Sequence, residues 1–65
     1  MQNLMVEDTT RAMQTADLLL RDLRVLNESS DAVTSLLVSQ EIEKTKTVRA
    51  QLGTLRMALL NREKS

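Results

Sequence analysis

The sequence Asn27-Glu28-Ser29-Ser30-Asp31 separates two long segments that have helical periodicity. Asn, Ser and Asp side chains hydrogen-bond to nearby backbone groups, which competes with helix in the interior but satisfies free N–H groups at a helix N-terminus. Asn27 therefore suits the end of a first helix, and Ser30 or Asp31 suits the N-cap of a second. Asp31 would also lie near the positive end of the second helix dipole. The stretch predicts a turn near residues 27–31.

The segment before the turn carries an apolar stripe with alternating four- and three-residue steps. Such steps keep side chains on one side of an α-helix. Val6, Met13 and Leu20 follow one another at seven-residue intervals beside this stripe and widen the apolar surface beyond a two-stranded seam. The pattern predicts a first helix over about residues 3–27. The stripe consists of Met5, Thr9, Ala12, Ala16, Leu19, Leu23 and Leu26.

The segment after the turn predicts a second helix over about residues 31–62. Gly53 lies within it, and a glycine in a helix interior costs roughly 1 kcal/mol relative to alanine. This glycine either permits close packing or frays the C-terminal end of the helix. The core stripe of the second helix is clearest at Val48, Leu52, Leu55 and Leu59.

The two segments together predict an all-α antiparallel helical hairpin that forms a single domain over residues 1–65. The alternative is one long coiled-coil helix with a stutter, because the turn sequence contains no Gly or Pro and the stripe continues beyond it with one extra four-residue step. The hairpin is favoured because a continuous helix would place Ser30, Glu41 and Thr45 in its apolar seam.

The chain has 65 residues and contains neither Cys nor His. A chain of this length buries only roughly 60% of the surface that it exposes when unfolded, so a monomeric core is marginal. Disulfides and the usual His/Cys zinc sites are excluded as sources of extra stability. We therefore expect a homo-oligomer, with two hairpins forming a four-helix bundle by dimerisation, or packing against a helical partner protein.

The composition argues against catalysis and against bound cofactors or metal ions. The carboxylate pairs Glu7/Asp8 and Glu41/Glu43 are spaced so that neither pair shares one helix face. Without His, the serines and threonines lack the most common general base. A calcium loop would need several oxygen ligands around a Gly turn, and the sequence has no such run. We predict a non-enzymatic protein with no cofactor.

The apolar runs are too short for a membrane span. The longest are Leu18–Leu20 and Leu36–Val38, far below the roughly 20 residues that a transmembrane helix needs. The N-terminal residues lack the basic region and the long apolar region of a secretory signal. We expect a cytoplasmic protein.

The net charge is zero, but the two signs are separated along the chain. Residues 1–43 carry a net charge of −5, and residues 44–65 carry +5. This asymmetry suits two segments that fold back on each other, which is the favoured interpretation, or a basic surface for nucleic acid. Nucleic acid is less favoured because single-strand recognition normally uses aromatic stacking, and the chain has no aromatic residue. The candidate anion-facing residues are Lys46, Arg49 and Arg56.

The sequence therefore predicts a protein–protein interaction module, with a regulatory or adaptor role, that self-associates or packs against partner helices. The alternative is a small helical nucleic-acid-binding regulator that uses the basic face of residues 44–64. Burial of leucines would supply the affinity of an interaction module. The predicted partner or oligomer interface consists of Leu19, Leu20, Leu23, Leu26, Leu37, Leu52, Leu55 and Leu59.

Overall fold

A computed structural model of the chain describes residues 4–64 and contains two α-helices in that range. Helix α1 spans Leu4–Glu28 and helix α2 spans Ala32–Lys64. The helices pack against each other as an antiparallel hairpin of 51 × 15 × 10 Å. The predicted all-α hairpin is confirmed, and the continuous rod is excluded because helix stops at Glu28 and resumes at Ala32.

The turn is held by side chains that bond to the ends of both helices. The Ser30 hydroxyl donates to the carbonyl of Leu26 at 2.7 Å, which satisfies a free acceptor at the end of α1. Asp31 Oδ1 accepts from the Thr34 N–H at 2.7 Å, which makes Asp31 the N-cap of α2. No residue that the structure describes has a positive φ, so the turn needs no glycine.

A further hydrogen bond joins the two helices next to the turn. The Ser35 hydroxyl donates to Asn27 Oδ1 at 2.7 Å, and both residues are half-buried. The bond connects the first turn of α2 to the last turn of α1. It therefore limits how far the two helices can splay at this end.

The core is a narrow seam between the helices. Leu20, Val38 and Ile42 form a buried cluster, and half-buried Leu23 packs against it. No side chain among residues 4–62 is completely excluded from solvent. The seam is therefore thin, as expected for two helices that contact only each other. Its buried residues are Thr9, Ala16 and Leu20 of α1 and Val38, Ile42 and Leu59 of α2.

The seam overlaps the predicted stripes in part, because Thr9 and Ala16 of the α1 stripe and Leu59 of the α2 stripe are buried in it. In α1 it follows the series of Val6, Met13 and Leu20, so Leu19 and Leu26 are exposed. In α2 the buried residues include Val38 and Ile42, whereas Val48 and Leu55 of the predicted stripe are exposed. The physical reason is that each helix has two adjacent apolar stripes, and a hairpin closes on one of them.

Two polar contacts set the axial alignment of the helices. Arg49 Nε lies 2.9 Å from Asp17 Oδ1, and Arg56 Nε donates to Thr10 Oγ1 at 2.9 Å. The Thr10 hydroxyl in turn donates to the Val6 carbonyl at 3.0 Å. The two arginines are seven residues apart, as are Asp17 and Thr10, so both contacts agree on one alignment.

The Leu20–Val38–Ile42 cluster predicts a large loss of stability on truncation of Leu20. Leu20→Ala should lower the free energy of unfolding by about 2–5 kcal/mol, because it removes buried methyl groups and leaves a cavity. Leu18→Ala is the matched control, since Leu18 is about half exposed, and it should change stability by about 0.5 kcal/mol or less. Urea denaturation followed by circular dichroism measures both, and equal losses would contradict the described core.

Gly53 has room for a methyl group. A Cβ at this position would lie 3.9 Å from Met13 Cε and 4.0 Å from Arg49 Nη1, which are ordinary van der Waals distances. Gly53→Ala should therefore raise the free energy of unfolding by about 0.5–1 kcal/mol through helix propensity. Ala50→Gly, at an exposed position of the same helix, should lower it by a similar amount. A lower denaturation midpoint for Gly53→Ala would show that close packing requires the glycine.

Asp31 predicts a pH-dependent contribution to stability. The Thr34 N–H bonds to the carboxylate and holds the pKa of Asp31 below its ordinary value of 3.8. A lowered pKa in the folded state stabilises the fold above the ordinary value, and this contribution is lost as pH falls through the folded pKa. Asp31→Ala should therefore lower the thermal midpoint at neutral pH, by an amount that shrinks below pH 3.8. Asp31→Asn should retain most of the stabilisation by the N-cap. A difference in thermal midpoint between wild type and Asp31→Ala that did not change with pH would refute the role of the Asp31 carboxylate.

Candidate interaction surface

The two helices leave an open groove of about 620 Å³ on one broad face of the hairpin. The apolar part of its lining consists of Ala12, Ala16, Leu19, Val48 and Leu52. The polar part consists of Thr15, Glu41, Lys44 and Thr45. The lining thus comes from the middle of α1 and the middle of α2.

Apolar side chains continue beyond the groove along the same face. Met5 and Leu26 lie seven residues before Ala12 and after Leu19, and Leu55 lies seven residues after Val48. Seven-residue spacing keeps side chains on one side of a helix. Leu37 is related in the same way to Lys44. We call this surface the groove face: Met5, Ala12, Leu19, Leu26, Leu37, Val48 and Leu55.

The large side chains of the groove face remain in contact with solvent. Leu19 and Leu55 are 47% and 46% exposed, and Val48 is 50% exposed. The groove face therefore presents apolar side chains from both helices to solvent.

The structure divides the eight predicted interface leucines into two equal sets. Leu20 and Leu59 are buried in the seam, and Leu23 and Leu52 are half-buried. The other four, Leu19, Leu26, Leu37 and Leu55, are exposed on the groove face. The first set is buried or half-buried between the helices, although Leu52 also lines the groove, and the second set is exposed to solvent.

Several residues of these surfaces are missing from the predicted set. Val38 and Ile42 belong to the core. Ser35, Val38 and Ile42 follow one another at steps of three and four residues, and this helical spacing is the sequence pattern that could have identified them. Val48 belongs to the groove face, and its seven-residue spacing to Leu55 is the corresponding pattern. In both cases the sequence contains the spacing without indicating which stripe faces the other helix.

The opposite broad face is polar. It carries the contacts of Arg49 with Asp17 and of Arg56 with Thr10. Lys46 lies 3.4 Å from Glu43 on the same helix. Each of the three candidate anion-facing residues therefore has an acceptor within the chain. The half-buried positions of Arg49 and Arg56 further restrict their guanidinium groups.

The remaining exposed apolar residues of α1 form a weaker pattern. Leu4, Leu18 and Val25 lie on the side of α1 that is directed away from α2. Arg11 interrupts their seven-residue series. Within residues 4–64, no second element lies beside this side of the helix to form a groove.

Within the described part of the chain, no group of three or more acidic side chains is placed to hold a metal ion. Neither α1 nor α2 combines the length and apolar character that crossing a membrane would require. Comparison of the chain with protein-family models, curated proteins and solved structures finds no match.

Proposed function

We propose that this chain is a non-enzymatic protein–protein interaction module that acts by packing its two helices against helices of another chain. The observation that carries the proposal is the groove face, where aliphatic side chains from both helices surround an open groove. A polar rim of Thr15, Glu41 and Lys44 borders this apolar surface. An apolar centre with a polar rim is the usual anatomy of a protein–protein interface.

The thin core of the hairpin supports the same proposal. Among residues 4–62, five apolar residues are buried, and one of them is alanine. Two-helix chains of this size seldom have enough buried surface to be stable alone. Covering the groove face would add roughly 25 cal/mol for each Å² of apolar surface removed from water. Association would therefore stabilise the fold, and the amount of folded protein would depend on the partner's concentration.

Nucleic-acid binding has less support. Phosphate recognition needs arginine and lysine side chains that are free to reach the backbone of the nucleic acid. Arg49 and Arg56 instead donate to Asp17 and Thr10 across the hairpin. A nucleic acid would have to displace both contacts, which also align the helices.

The proposal predicts that a charge on the groove face disrupts association. Leu19→Asp should reduce the affinity of the complex at least tenfold, because it would place an uncompensated carboxylate in an apolar interface. Leu18→Asp is the matched control: it makes the same change in the adjacent residue, which is 52% exposed and does not line the groove. Sedimentation equilibrium at micromolar concentrations measures the mass of each protein.

Two results would contradict the proposal. One is a purified wild-type chain that is monomeric and whose thermal midpoint does not depend on concentration, with no helical partner recovered on its groove face. The other is equal association of wild type, Leu19→Asp and Leu18→Asp. Leu19→Ala retains a strong helix former and distinguishes a lost contact from a damaged helix.

A further inference from the structure

We infer that the chain which covers the groove face is a second copy of this one, with both turns at the same end of the assembly. In this arrangement α1 of each copy packs on α2 of the other, and the four helices form an antiparallel bundle. The inference rests on the proposed function and names its partner and geometry.

The dimensions of the groove face suit a second copy. The broad face of the hairpin measures about 51 by 15 Å. A second hairpin of the same dimensions can therefore lie along its whole length. A single partner helix would fill the groove but leave the outer side chains of the face, such as Leu26 and Leu37, in water. A second hairpin covers both helices of the first.

The charges at the edges of the groove face have opposite signs on the two helices. On α1, Asp8 and Asp22 lie seven residues before and after Thr15, which lines the groove. On α2, Lys44 lines the groove beside Glu41, and Arg62 lies seven residues after Leu55. Asp8 and Asp22 also lie within 4 Å of Arg11 and Arg21, and Lys44 lies 3.3 Å from Glu41, so a contact between copies would compete with these exposed pairs. Among the residues of the groove-face edges, α1 is acidic and α2 carries a net positive charge. Such a face can pair with its own copy when α1 meets α2.

The alignment within the hairpin shows which residues would meet. Arg49 lies opposite Asp17 and Arg56 lies opposite Thr10, so each step forward along α1 corresponds to one step back along α2. By this relation Asp22 is level with Lys44. In a second copy with its turn at the same end, each residue has the same axial position as in the first copy. Asp22 of each copy therefore faces Lys44 of the other. Leu19 then lies near the level of Val48 of the second copy.

The reverse arrangement, with turns at opposite ends, brings like charges together. It would pack α1 on α1 in antiparallel orientation, centred on the groove. Because Asp8 and Asp22 are equally distant from Thr15, Asp8 of each copy would face Asp22 of the other. Like charges opposite each other suppress an alternative pairing. The same arrangement would bring Glu41 of each copy near Arg62 of the other. What distinguishes turns at the same end is therefore the pairing of Asp22 with Lys44, which the reverse arrangement does not make.

The geometry can be tested with one spin label in each chain. The chain has no cysteine, so Ser29→Cys in the exposed turn provides a single attachment site. Pulsed electron paramagnetic resonance of the labelled dimer should give a label separation of about two helix diameters, roughly 20–25 Å. Turns at opposite ends would instead separate the labels by a distance comparable to the 51 Å length of the hairpin, and that result would overturn the inference.

The charge pairing can be tested by exchange of the two residues. Asp22→Lys or Lys44→Glu alone should weaken the dimer roughly tenfold at low salt, because each creates two like-charge contacts. The combined variant should recover most of the wild-type affinity. Arg24→Asp is the control, since Arg24 follows Asp17 by seven residues and lies on the polar face. A combined variant weaker than both single variants would refute the pairing.

The outcomes separate this inference from the proposed function. A dimer that is sensitive to Leu19→Asp but has distant labels would overturn the geometry and leave the interaction module intact. A monomer whose groove face binds a different helical protein would overturn the second copy alone. A wild-type chain that associates neither with itself nor with another protein would overturn both the inference and the proposed function.

Discussion

Aliphatic packing along one seam between α1 and α2 is the constraint on which the rest of the structure depends. The cluster of Leu20, Val38 and Ile42 lies in the half of that seam nearer the turn, and the sequence contains no aromatic residue that could enlarge it. Packing of two helices buries one stripe on each, and here the stripe includes small and polar residues such as Thr9 and Ala16. The seam therefore holds the hairpin together while leaving other apolar side chains in water.

The polar contacts of the hairpin decide which apolar side chains remain exposed. The contacts of Arg49 with Asp17 and of Arg56 with Thr10 lie on one broad face, so that face is closed by hydrogen bonds. On the opposite face, apolar side chains of both helices surround the open groove. The individual polar contacts are partly exposed and add little free energy. These contacts instead fix the rotation and the axial position of each helix relative to the other. The resulting arrangement places Leu19, Val48 and Leu55 on the same surface.

Much of the fold was predictable from the sequence, and the turn shows why. Asn27, Ser30 and Asp31 each form a hydrogen bond with a residue three or four positions away, and such local bonds depend on residues that are close in the chain. The periodicity of each helix was predictable for the same reason. The division of the interface leucines was not, because Leu19 and Leu20 differ by one residue and both belong to apolar series. Their different environments depend on a helix that is distant in sequence.

The sequence by itself determined that this protein is two helices with a turn, because helical periodicity and capping are properties of neighbouring residues. It also determined an excess of apolar side chains beyond what one helix pair can bury. Only the tertiary structure decided that Leu20 is core and Leu19 is surface, and that Arg49 and Arg56 are occupied within the chain. The reason is geometric, since the rotation of each helix about its axis is set by contacts with residues of the other helix that are distant in the sequence.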